Sequence, residues 1–288
     1  MTALPRTTGP EVGLRNAFEA CAFVDELGTS LVGELVVSGP DGPRGTVFVE
    51  RGRICWAAAR GLARRLTELL GARASLSSSE MESLFVMCKE QRIPLGEHLV
   101  SRGVLSASAL REALLQHTVE SLRFLCSAGA RGAWSPREGA GYSPRFTFAT
   151  AELLAQVGAA VHASIAARLQ PVLESSFGEG DWAAAFVRSE TSAFPEPIAV
   201  HGSVPSAATS LVRFGKWAAS ALDVASAFSD DAALLSVARS AASGGSSLVA
   251  FRHGGAVVTG ETSAQGPARI LNRRAQRRRA KGSFDADL

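Results

Sequence analysis

Lysine, methionine, cysteine and tyrosine are scarce in this chain of 288 residues: three lysines (Lys89, Lys216 and Lys281), three methionines, four cysteines and one tyrosine. Cys21, Cys55, Cys88 and Cys126 stand more than thirty residues apart with no C-x-x-C pair. That spacing encodes neither a zinc site nor a disulfide framework, so the expectation is four buried free thiols in a reduced cytoplasm. Long apolar runs are also missing. Residues 1–15 hold two prolines and no apolar stretch of seven, which gives no support to a secretory leader. The nearest approach to a membrane span, residues 148–169, is interrupted by Glu152, Gln156, His162 and Arg168, whereas a spanning helix needs about 20 largely apolar residues. Nor is there an excess of one charge: 30 Lys plus Arg against 27 Asp plus Glu gives +3. A balance that small excludes a whole surface given over to nucleic acid or anionic lipid.

What remains is an ordinary globular composition, 46% apolar and 20% charged. At roughly 100–200 residues per domain the length argues for two domains. Residues 1–13 read as a disordered start. Leu14, Ala17, Phe18, Cys21, Ala22 and Leu27 then keep a helical period that stops at Gly28. Three β-rich runs follow, from Leu31, from Thr46 and from Arg53, separated by the Gly39–Gly45 turn cluster and by Arg51-Gly52; they read as an antiparallel meander. Residues 61–70 are helical. Residues 79–128 form a helical insertion in which Pro94 and Gly103 break the pattern and Ser106 or Ser108 caps the last helix. Residues 130–136 and 143–148 read as edge strands and a loop, and Thr150 caps a helix over 151–157, closing the first domain at 158. Residues 159–280 read α-β-β-α-β-β-β-α, a second domain in which helices cover one antiparallel sheet, and 281–288 form a flexible tail. The fold class is α+β.

The strands around Gly33-Glu-Leu-Val-Val and Gly45-Thr-Val-Phe-Val-Glu-Arg-Gly-Arg-Ile-Cys-Trp-Ala, with Gly132-Ala-Trp-Ser-Pro and Thr150-Ala-Glu-Leu-Leu, resemble the PATAN domain at the N-terminus of PatA-like bacterial response regulators. The match covers residues 14–158. Within it, Pro94-Leu-Gly-Glu-His-Leu-Val-Ser-Arg-Gly-Val-Leu through Gln116-His117 is similar to the helical N-terminal module of type II secretion and type IV pilus assembly ATPases. A pair of related modules binds cyclic di-GMP in some of those ATPases; here there is one copy. Its glycines and leucines also suit plain helix packing. By element order and by the stretch Ser247–Val258, the second domain resembles the Roadblock/longin fold. That resemblance implies dimerisation and contact with small Ras-like GTPases in polarity and motility systems.

Catalytic patterns are not visible. His98, His117, His162, His201 and His253 occupy unrelated contexts, and neither H-E-x-x-H nor a phosphate cradle of the G-x-x-x-x-G-K-S/T type occurs. Ser243-Gly-Gly-Ser-Ser precedes a strand, not a helix, the wrong order for a phosphate at a helix N-terminus. Trp56, Trp134, Trp182 and Trp217 have apolar neighbours and read as core. Two stretches stand out as interaction surfaces. Leu211, Phe214, Ala218 and Leu222 recur at three and four residues along one helix, broadened by Ala208, Val212 and Ala219, a stripe able to serve both the sheet and a second copy of the chain. Arg273, Arg274, Arg277 and Arg278 belong to a run of six positive charges, which reads as a solvated helix end, a contact for an acidic protein or a phosphate-binding face.

The combined expectation is a cytoplasmic, non-enzymatic adaptor of bacterial signalling or polarity, needing no cofactor and no metal. Its expected partners are proteins, among them a small GTPase or a motility or secretion component, and a second copy of itself. Nucleic acid is disfavoured because aromatics for base stacking are lacking near the arginines, apart from Phe284. Two alternatives stand beside this reading: a regulator of a Ras-like GTPase through residues 159–280, and a cyclic-dinucleotide receptor through residues 94–117.

Overall fold

The computed structural model describes residues 10–63, 65–91, 93–139, 141–188, 194–226, 235–239, 245–253, 255–263 and 265–271. The chain divides into two compact units between Leu153 and Leu154, and the fold is α+β with two antiparallel sheets.

The first unit contains β1 (Glu11–Gly13), α1 (Ala17–Leu27), β2 (Val32–Gly39), β3 (Gly42–Glu50) and β4 (Arg53–Ala59). Asn16 starts α1 by accepting the Glu19 N–H at 3.1 Å, and Gly28 ends it at φ 71°. The meander is as the turns predict. Arg51 and Gly52 both take left-handed backbone, φ 54° and 70°, the geometry whose twist suits a two-residue hairpin. Three helices follow, α2 (Leu66–Ala74), α3 (Ser78–Glu90) and α4 (Leu95–Ser101), then α5 (Ala107–Leu125) and β5 (Arg131–Pro136). Ser77 caps α3 reciprocally with Glu80, and Ser106 is the residue that caps α5, accepting the Ala109 N–H. Leu69, Leu70, Met81, Leu99, Leu105, Leu110, Ala113 and Phe146 fill the core of this helical part.

Two strand assignments change. β5 lies inside the sheet, whose order is β1-β5-β2-β3-β4, and is not an edge. Val12 pairs with Gly132, so part of the stretch read as a disordered start is the true edge; three residues are too few for alternation to show in sequence. Residues 143–148 contribute a single 3-10 turn, Pro144–Phe146, and one bridge in which Ile54 and Phe148 exchange hydrogen bonds of 3.0 and 2.8 Å.

A helix, α6 (Thr150–Val161), runs across the division between the units, past Gly158 where the first domain was expected to close. Gly158 acts there as a point of close approach: a Cβ would stand 2.0 Å from the Pro197 carbonyl oxygen. The second unit continues with α7 (Ala163–Ser176), β6 (Trp182–Val187), β7 (Glu196–His201), α8 (Ala208–Ser226), β8 (Leu235–Arg239), β9 (Ser246–His253) and β10 (Ala256–Ser263), then helical residues 266–271. The sheet order is β7-β6-β10-β9-β8. Alternation sorts its faces. Ala183, Ala185, Val249, Phe251 and Val258 meet Leu169 and Leu173 of α7, while Ala250 and Val257 meet Trp217, Ala218 and Leu222 of α8. Helices on both faces make three layers, which is why every residue of β6 is buried.

Candidate functional site

The apolar stripe of α8 is taken up by the chain's own sheet. Leu211 and Ala218 are 0% exposed and Leu222 is 2%, and Ala208 and Val212 are buried with them. Phe214 is half-buried, edge-on to Trp182 with ring centroids 5.0 Å apart. Leu211, Ala218 and Leu222 therefore offer no surface to a second copy, and of the four predicted residues Phe214 alone keeps part of its surface. The outward side of α8 carries Arg213, Lys216, Ser220, Asp223 and Val224, with Asp223 paired to Arg252. Periodicity locates a stripe without saying what covers it. Arg273, Arg274, Arg277 and Arg278 lie outside the described residues.

Segment 94–117 is similarly used for packing. Leu99, Leu105 and Leu110 are buried. Gly96 lets α4 rest on α5, since a Cβ there would lie 2.7 Å from Leu110 Cδ1, and Gly103 at φ 69° turns the chain out of α4. His117 is buried, and burial lowers its pKa despite the charge of Glu120 and a hydrogen bond with the Ala57 backbone.

All four cysteines are buried free thiols. Burial pushes the Cys55 and Cys126 thiols up to about 12 and raises those of Cys21 and Cys88, so thiolate is scarce at neutral pH. His162 Nε2 lies 3.1 Å from Glu196 Oε2. Asp181, 7% exposed, ties the start of β6 to the chain beyond β10. It accepts the Gly178 N–H at 2.7 Å, the Ser263 N–H at 3.3 Å and Arg269 Nη2. Burial alone would raise its carboxyl, but those bonds and the Thr262 hydroxyl outweigh burial and hold its pKa below the ordinary value. Three polar atoms of α5, His117 Nδ1, Thr118 Oγ1 and Ser121 Oγ, are buried without hydrogen-bond partners. Among the described residues no group of three or more His, Cys, Asp or Glu side chains is placed to hold a metal ion, and no helix is long and apolar enough to cross a membrane.

One concavity brings polar chemistry together. Asp41, Gly42, Pro43 and Arg44 at the β2–β3 turn, Arg60 just beyond β4, and Phe124 and Ser127 at the end of α5 line a depression of about 430 Å3. Arg44 Nη1 donates to Ser127 Oγ. Phe124, which helical periodicity counts among the core positions of α5, is 44% exposed at its wall. The turn cluster at 39–45 is visible in sequence, but nothing there joins it to residues 60, 124 and 127; the sheet register and the α5 packing do that. Comparison with protein-family models, with curated proteins and with solved structures gives no match.

Proposed function

We propose that this chain is a non-enzymatic adaptor of bacterial signalling or polarity, working by contact with other proteins. The observation that carries the reading is the second unit: α7, β6, β7, α8, β8, β9 and β10 follow one another in the order on which the Roadblock-like resemblance rests, with helices on both faces of one antiparallel sheet. The distribution of reactive groups also supports it. The thiols are packed into apolar surroundings, and Asp181 is committed to hydrogen bonds that hold segments of the same unit together. Groups spent in this way stabilise a shape and leave recognition as the work of the surface.

The same element order favours the more specific reading, that the second unit regulates a Ras-like GTPase. Size-exclusion chromatography of the full chain with such a GTPase, loaded with GTP in one run and GDP in the other, tests it. A stoichiometric complex in one nucleotide state and not the other is the expected result. Independent elution in both states, with GTP hydrolysis unchanged by the chain, refutes the GTPase reading.

A further inference from the structure

The depression between the β2–β3 turn and the end of α5 combines features that the fold alone does not require. The Arg60 N–H donates to the Arg44 carbonyl at 2.7 Å, so Arg44 of β3 and Arg60 just beyond β4 are neighbours across the end of the ladder, and both line the same cavity. Like charges so placed destabilise a sheet. Among the described residues neither guanidinium has a carboxylate partner; Arg44 is held by the neutral hydroxyl of Ser127. Its position is also built by a glycine. The Arg44 side chain crosses Gly39, where a Cβ would fall 2.2 Å from Nε and 2.8 Å from Cζ, so any larger residue would displace the guanidinium. Phe124 adds an exposed aromatic wall. Asp41 is the one acid in the lining.

We propose that this depression binds a phosphate monoester that carries an aromatic group. A guanidinium fork matches phosphate oxygens in number and geometry, and a dianion shared by the two arginines offsets their mutual repulsion. The Ser127 hydroxyl accepts from Arg44 and keeps its own proton to donate to a phosphate oxygen. Phe124 receives the aromatic group by stacking. The negative end of the α5 dipole opposes an anion here, but by less than one charge-assisted bidentate contact contributes. A volume of this size lies within the roughly 300–1,000 Å3 of small-molecule sites. A nucleoside monophosphate and a phosphotyrosyl side chain share the required chemistry, and they are the two sources the test separates. This inference stands on the cavity and is independent of the adaptor reading.

Isothermal titration of the full chain with inorganic phosphate, phenyl phosphate, a nucleoside monophosphate and phosphotyrosine tests the proposal. Phenyl phosphate is expected to bind more tightly than inorganic phosphate, and both to weaken as salt is added. Arg60→Gln should weaken both about tenfold or more. Phe124→Ala should remove the preference for phenyl phosphate. Gly39→Ala should weaken binding by displacing Arg44, and Asp41→Asn should tighten it. The tighter of the nucleoside monophosphate and phosphotyrosine identifies the source, and equal affinities leave the shared chemistry as the determinant. Arg60 is exposed, so Arg60→Gln should melt at the same temperature as the wild type or higher, having lost a like-charged neighbour. Absence of heat with all four probes at millimolar concentration overturns the proposal, as does an affinity that Arg60→Gln leaves unchanged in a folded protein.

Discussion

Alanine in place of glycine inside a helix adds about 1 kcal/mol of stability when the new methyl group has room. Two helical glycines of this chain give that exchange opposite signs. At Gly71 of α2 a Cβ would meet the Leu76 carbonyl oxygen at 3.5 Å and Met81 Cε at 3.7 Å, which is ordinary van der Waals contact. Gly71→Ala should therefore gain close to the full ~1 kcal/mol. At Gly158 of α6 the Cβ would stand 2.0 Å from the Pro197 carbonyl oxygen and 3.1 Å from its carbon. The obstacle is backbone at the start of a paired strand, so helix and sheet must separate by more than an ångström. Overpacking of this kind costs about 3 kcal/mol at the upper end of its usual range; set against the ~1 kcal/mol propensity gain, Gly158→Ala should lose about 2 kcal/mol. Urea denaturation followed by far-ultraviolet circular dichroism and tryptophan fluorescence reads both variants, since each unit carries two tryptophans, Trp56 and Trp134 in the first and Trp182 and Trp217 in the second. A Gly158→Ala protein as stable as the wild type would refute the close approach of α6 to β7. A destabilised Gly71→Ala protein would refute the contact distances beside α2.

Three other outcomes follow from single sites. Thr118→Val and Ser121→Ala remove buried hydroxyls that lack partners, so each should raise the denaturation midpoint, by about 1 kcal/mol in stability; a loss from both would mean that the hydroxyls are satisfied. Asp181 has a folded-state pKa below its unfolded value, so its ionised form stabilises the fold above about pH 4 and that contribution fades as pH falls through the folded-state value. Asp181→Asn should be less stable than the wild type at pH 7, with the gap narrowing below about pH 4; a gap that does not change with pH would contradict the linkage. Because all four thiols are buried and burial raises their pKa values, a disulfide exchange reagent at pH 8 should label none of them rapidly in the native protein and all four in denaturant. Rapid native labelling of Cys55 or Cys126 would show an accessible thiolate.

The parts of the fold legible in sequence are those with a local signature. Gly42 in the Gly39–Gly45 cluster, and Arg51-Gly52, mark the hairpins of β2, β3 and β4, and all three take positive φ there. Ser106 and Gly103 mark helix ends because they satisfy or release terminal backbone groups. The second unit's element order could be written from alternation and turns alone. What escaped depends on contacts distant in sequence. Glu11–Gly13 becomes a strand only because β5 offers it a ladder, and that pairing moves β5 from the edge into the sheet. Leu211, Ala218 and Leu222 have the spacing of an interface and are buried within their own unit, Ala218 and Leu222 against its sheet. Phe124 keeps the helical period yet faces outward. The lining of the depression comes from the β2–β3 turn, from Arg60 just beyond β4 and from the end of α5, with 86 positions between Asp41 and Ser127, and no linear pattern joins them.

The adaptor reading is tested most directly by crosslinking the full chain inside its native cell, identifying the attached protein by mass spectrometry, and rebuilding the pair from purified components. The expected result is a binary complex with a different protein that forms again in solution at fixed stoichiometry. Crosslinks confined to the chain itself, together with turnover of a small molecule by the isolated chain, would contradict it.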